Sequence, residues 1–298
     1  MKRFLVSLTG LGLLGSLFFV ACSSSSTPND ALLIVDEEVI YTISTDDWKR
    51  TKIFESGEDK NRYSPSWSPN GDSILFQVRD GDEDQLFVMD ADGANLTQLT
   101  FLSEDESIHH PSLDYFPTWS PNGDSILFEV RDGDEDQLFV MDADGTNLTQ
   151  LIALDKEKSI DWPSWSPNGD SILFKAYVAG EGSQLFVIDA DGTNLTQLTF
   201  LEENKVIDRP LWSPNGDSIL FQVRDGDEDQ LFVMDADGDN LTQLTFLNEE
   251  EILSHLSWSP SGEYIQFNVD GEYKIFDLME KMIVSIGSAD FMAWGTGT

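Results

Sequence analysis

The residues best placed to do chemistry are carboxylates. An acidic cluster, Asp80, Asp82, Glu83 and Asp84 around Gly81, returns as Asp132, Asp134, Glu135 and Asp136 and again as Asp225, Asp227, Glu228 and Asp229. Closely spaced carboxylates bind cations or basic protein surfaces, and two in different environments can act as acid and base on a glycoside. Asp80, Asp82 and Asp84 fall on the first, third and fifth places of a calcium-binding loop, but Gln85 stands where that loop needs Gly and Ala91 where it needs Glu. An EF-hand is therefore excluded, while a looser calcium site at the same aspartates stays open. Other chemistry is thin. The sequence has no Gly-x-Ser-x-Gly elbow, no His-Glu-x-x-His pair and no phosphate-cradling glycine loop, and its three histidines leave few members for a nucleophile–base pair. No catalytic residue and no cofactor beyond calcium is expected. His109 and His110 share a long connection with Tyr115 and read as surface.

The formal charge of −38 disfavours nucleic acid, which needs clustered Lys and Arg, and disfavours anionic lipid and polyanionic sugars for the same reason. A partner with a basic surface fits the charge. The one cysteine, Cys22, excludes an internal disulfide and a cysteine-based metal site. Lys2 and Arg3 lead an apolar run from Phe4 to Val20, as in an export signal. The Phe19-Val20-Ala21-Cys22 stretch resembles the lipobox of bacterial lipoproteins, although Phe19 stands where that motif usually has Leu. The resemblance implies a signal over 1–21, lipidation of Cys22 and membrane anchorage through it. The Ser-rich stretch 22–30 would be the tether, and a single folded domain is expected over 31–298.

Those carboxylates sit inside a repeat. Trp67, Trp119, Trp165, Trp212 and Trp258 each begin a Trp-Ser-Pro step, at intervals of roughly 46 to 52 residues, a period that suits four-stranded propeller blades. In the first copy, Pro65–Trp67 predicts a short first strand and Ser68-Pro69-Asn70-Gly71 a turn. Ser73–Val78 predicts the second strand, 80–84 a loop, Gln85–Asp90 an apolar third strand and Leu96–Phe101 an alternating fourth.

With its Trp-Ser-Pro-Asn-Gly-Asp-Ser-Ile-Leu-Phe, Arg-Asp-Gly and Leu-Phe-Val-Met-Asp-Ala-Asp-Gly segments, the repeat resembles that of the TolB-type, WD-repeat-like β-propeller family from residue 63 to about 285. The expected fold is all-β: a six-bladed propeller with four antiparallel strands per blade. Strands at 31–35, 39–44 and 51–54 lack a first strand before them, and 291–295 looks like a first strand with nothing after it. Joined, they would close the ring as one split blade.

Strand parity puts the second-to-third loops and the blade-to-blade connections on one face. The connections are acidic too: Ser103 to Glu106, Asp155 to Glu157, Glu202 to Asn204 and Asn248 to Glu251. That acidic face is the expected binding surface. The third copy replaces the acidic loop by Tyr177 to Ser183, and the fifth shortens it to Asp270-Gly271. Propellers also gate prolyl oligopeptidase-like enzymes and form oligogalacturonate lyases, so an enzyme acting on carbohydrate or peptide is the alternative. The family resemblance implies a cell-envelope role in contact with a peptidoglycan-associated lipoprotein. The 298 residues carry neither the α/β domain that precedes the propeller in TolB nor a hydrolase domain. The expectation is therefore a monomeric, non-enzymatic envelope adaptor binding protein through its acidic face.

Overall fold

A computed structural model describes residues 31–36, 39–55, 60–61, 65–80, 83–103, 105–108, 117–133, 135–154, 159–288 and 294. The export signal, Cys22, the His109–Tyr115 stretch and the closing segment 291–293 fall outside the described residues. The described chain has no helix and forms six antiparallel sheets, each from a contiguous stretch of sequence. An N-terminal sheet of Ala31–Asp36, Val39–Ser44 and Arg50–Glu55 precedes repeats one to five.

Repeat four shows the unit: Lys205–Trp212, Ser218–Asp225, Glu228–Asp235 and Thr242–Gln243, paired in that order. Successive residues of its middle strands point to opposite faces, so Leu220 and Leu231 meet repeat five while Ile219, Phe221 and Met234 meet repeat three. Each hydrophobic cluster is therefore a seam between consecutive sheets, from the N-terminal sheet against repeat one to repeat four against repeat five. A fully buried Leu, Ile or Phe side chain contributes about 1.5–3 kcal/mol. Within each of repeats one to four a cross-strand phenylalanine pair stacks at 5.5–5.9 Å, for example Phe174 on Phe186 at 5.5 Å.

Tryptophans stitch the seams at the other end. The Nε1–H of Trp119, Trp165 and Trp258 donates to the carbonyl of Ser66, Thr118 and Leu211 in the preceding repeat, at 3.4, 3.4 and 3.3 Å. Trp294 extends the series, donating to Ser257 Oγ at 3.2 Å. Trp67 and Trp212 head their copies as well, with Nε1 buried and no such bond among the described residues. The first strands of repeats three and four approach each other directly.

The fourth strand is shorter than its alternation predicts, and one residue explains it. In repeats one, three and four the N–H of Leu86, Leu185 and Leu231 donates to the hydroxyl of Thr100, Thr199 and Thr245 at 2.8–2.9 Å rather than to a backbone carbonyl. Each hydroxyl donates onward to Gln85, Gln184 or Gln230, whose amide holds the carbonyl of Leu102, Leu201 or Leu247. The ladder is thus cut after two residues. Repeat two has Ile152 in place of that Thr, pairs it with Leu138 through the backbone, and keeps a five-residue strand, Thr149–Ala153.

The connection from Leu102 to Phe116 is also not all loop, because Glu106–Ile108 pairs with the second strand of repeat two. Ile108 takes the register that Ile160 has in repeat three, so the wider interval from Trp67 to Trp119 is taken up between Ile108 and Thr118.

Candidate functional site

The candidate site is the end of the sheets that carries the second-to-third hairpins. The connections share that end, as parity requires: Asn204 Nδ2 donates to Asp225 Oδ1 at 2.9 Å, and the N–H of Ile252 donates to Asp270 Oδ1 at 3.0 Å.

The acidic loops expected at 80–84, 132–136 and 225–229 are shorter than read. The second strand runs to Asp80, Asp132 and Asp225 and the third begins at Glu83, Glu135 and Glu228, so only two residues turn between them. Gly133 and Gly226 have φ of 59° and 64°, the left-handed conformation that a two-residue hairpin needs. Repeat five does the same with Asp270 and Gly271 at φ 54° and 83°.

Pairing through the hairpin sets Arg79 directly opposite Asp84, Arg131 opposite Asp136 and Arg224 opposite Asp229. Arg79 clasps both carboxylate oxygens of Asp84; Arg131 Nε donates to Asp136 Oδ1 at 2.8 Å and Arg224 Nε to Asp229 Oδ1 at 3.0 Å. Asp84 and Asp136 are 0% and 2% exposed. These are charge-assisted clamps, and they face an arginine rather than a partner. Asp136 also ties the next sheet, accepting the N–H of Ile160 at 3.3 Å, and in repeat three Ser183 takes that job for Ile207 at 3.2 Å. Both members of the pair change together there, Tyr177 opposite Ser183.

What remains on the surface is Asp132, Asp225, Asp227 and Glu228, with Glu135 half-buried and Asp229 largely covered. Asp80 and Glu83 pair through their backbones, while Asp82 and Asp134 lie outside the described residues. Among the described residues no three His, Cys, Asp or Glu side chains are grouped to hold a metal ion, and the copy at 225–229 is wholly described.

Three features of this end escape a reading by charge runs. Glu129 is 5% exposed on the seam between repeats two and three. Burial first, then Asp136 and Asp161, pushes its carboxyl up to about 9, with Arg131 pulling the other way. Lys175 pairs with Asp161 at 3.0 Å beside it. The signal was present in the repeats: across the hairpin strands, repeats one, two and four differ only in Gln77, Glu129 and Gln222.

Second, the first strands of repeats three, four and five bulge at Asp161-Trp162, Asp208-Arg209 and Ser254-His255, with Trp162, Arg209 and His255 at φ 58°, 48° and 52°. Non-glycine residues held there carry strain of order 1–3 kcal/mol, which clusters at functional sites. Third, Phe101, Phe200 and Phe246, each just past its Thr hook, are 81%, 80% and 83% exposed. At the opposite end, a depression of about 340 Å³ between repeats one and two is lined by Trp119, Asp90, Asn95 and Asp144.

A protein-family model described as the TolB beta propeller domain matches residues 109–274. An uncharacterized peptidase, YuxL, of Bacillus subtilis is 33% identical over 81 residues, a stretch covering 27% of this chain and 11% of that protein. Among solved structures, an oligogalacturonate lyase in complex with manganese aligns with a TM-score of 0.66 at 14% identity, over 94% of this chain and 86% of that one. TolB from Acinetobacter baumannii aligns with a TM-score of 0.50 at 18% identity, over 84% of this chain and 59% of that one. At such identities the likeness shows the fold, a β-propeller.

Proposed function

The chain belongs to the TolB β-propeller family, and from that premise we propose a non-enzymatic binding module of the bacterial cell envelope, tethered through a lipid on Cys22. Its partner is a protein with a basic surface, met at the hairpin end. The observation that carries this reading is the company kept there: exposed carboxylates at Asp132, Asp225, Asp227, Glu228, Glu202, Glu203, Glu249 and Glu250 lie at the same end as three outward phenylalanines. Aromatic anchors ringed by charge are what a hot spot and its steering field require.

The ring itself is read as six blades, the N-terminal sheet completed by residues 291–295. In support, Trp294 continues the tryptophan series, and the two end sheets carry apolar residues suited to each other. Ile286 of repeat five is 41% exposed where its counterpart in repeat four, Leu244, is 6% exposed. Leu32, Ile34 and Ile43 of the N-terminal sheet are only half-buried.

Photo-crosslinkers at Glu228 and at Asp72, on opposite ends, test the binding face in envelope extract. Salt-sensitive adducts from Glu228 alone are expected; adducts from Asp72 alone would overturn the assignment. An enzyme acting on carbohydrate or peptide is the second reading, favoured by the Glu129 carboxyl, which burial pushes up to about 9, beside Asp161. Turnover of a glycan or peptide panel that Glu129→Gln abolishes would establish it.

A further inference from the structure

We propose that Glu129 keeps its proton in the folded protein and makes the seam between repeats two and three a pH-sensitive one, tight while the carboxyl is neutral and loosened when it ionises. The register argues for it. The same place on the second strand holds Gln77, Gln222 and Asn268 in repeats one, four and five, buried to 1%, 3% and 5% exposure, and Lys175 in repeat three, where it pairs with Asp161. Three of the four other repeats therefore bury a neutral amide here, and in repeats one and four it is glutamine, of the same length as Glu129. A protonated glutamic acid is the isostere of that amide; a carboxylate is not.

The surrounding charges do not accommodate a carboxylate either. On its own repeat Glu129 is near Arg131 and Asp136, and on the facing repeat near Asp161, which holds Lys175. Arg131 is engaged by Asp136 at 2.8 Å and Lys175 by Asp161 at 3.0 Å, so two cations already face two carboxylates. An ionised Glu129 would leave the seam with one excess negative charge in a site it can scarcely hydrate. With the proton retained, the cluster is neutral.

The sign follows from linkage. The folded state binds a proton that the unfolded chain releases above its ordinary value of 4.5, so stability is greatest at low pH and falls as pH rises towards about 9. The loss is at most about tenfold in the folding constant per pH unit. Other carboxylates titrate as well, so the measurement is a difference. Urea unfolding of the protein from pH 5 to 9 should give a falling wild-type profile that Glu129→Gln flattens, the two converging at the acid end. Gln222→Glu should install a new fall at the seam between repeats four and five.

The infrared band of a protonated carboxyl should be present in wild type at neutral pH and absent from Glu129→Gln. Superimposable pH profiles of wild type and Glu129→Gln would overturn the proposal. So would a carbon-13 carboxyl signal for Glu129 titrating with the ordinary glutamates, a measurement on wild type that decides the matter even if Glu129→Gln fails to fold.

Discussion

The seam between repeats two and three and the seam between repeats four and five are built alike in their apolar part and differently at the hairpin end. One buries Leu127, Leu138, Ile160, Ile172 and Phe174, the other Leu220, Leu231, Leu253, Ile265 and Phe267, at matching registers. At the hairpin end the first sets Glu129 near Asp161 and Lys175, whereas the second has Gln222, Ser254 and Asn268 at those registers. One hook differs too: Thr245 catches Leu231 in repeat four, while Ile152 pairs with Leu138 in repeat two. The apolar register is what the fold demands, and the polar end is where one seam can become conditional while its neighbour stays indifferent.

That contrast can be broken at several depths. Leu231→Ala should cost most, about 2–5 kcal/mol, because Leu231 is fully buried between two rigid sheets; urea unfolding should show it unchanged from pH 5 to 9. Asp136→Ala should cost about 2–3 kcal/mol, less than a fully buried pair because the Arg131 side chain is 40% exposed, and should weaken hydrogen-exchange protection at the Ile160 amide. Thr245→Val should cost about 1–2 kcal/mol by stranding the Leu231 N–H, while Gln230 Oε1 keeps the N–H of Leu247. Lys52→Met, which removes an exposed pair with Glu55, should leave the melting curve where it was.

Much of this architecture is readable from residue order. Ser73–Val78 and Gln85–Asp90 lie within the observed strands because alternation and the Asn-Gly and Asp-Gly turns bound them on both sides. The fourth strand is not readable from alternation alone: Leu96–Phe101 alternates well, yet only Thr97–Gln98 pairs, since Thr100 offers its hydroxyl in place of a carbonyl. The acidic hairpins mislead for a related reason. Counted as charges, 80–84 is a solvated loop; counted as cross-strand pairs, Arg79 and Asp84 are opposite each other. Glu129 stands out only when repeats one, two and four are laid side by side, because a single residue in an apolar strand breaks no pattern of its own. The bulges at Trp162, Arg209 and His255 leave no such trace, since backbone conformation at those points depends on strands distant in sequence.

The tryptophan that heads each copy has an optical consequence. Because Trp119, Trp165 and Trp258 each bond to a carbonyl of the neighbouring sheet, an indole's emission colour depends on whether one particular pair of sheets is together. Variants keeping a single one of these indoles would turn the molecule into a set of local gauges. Fluorescence read against temperature would then tell whether the ring melts as a unit or parts first at one joint.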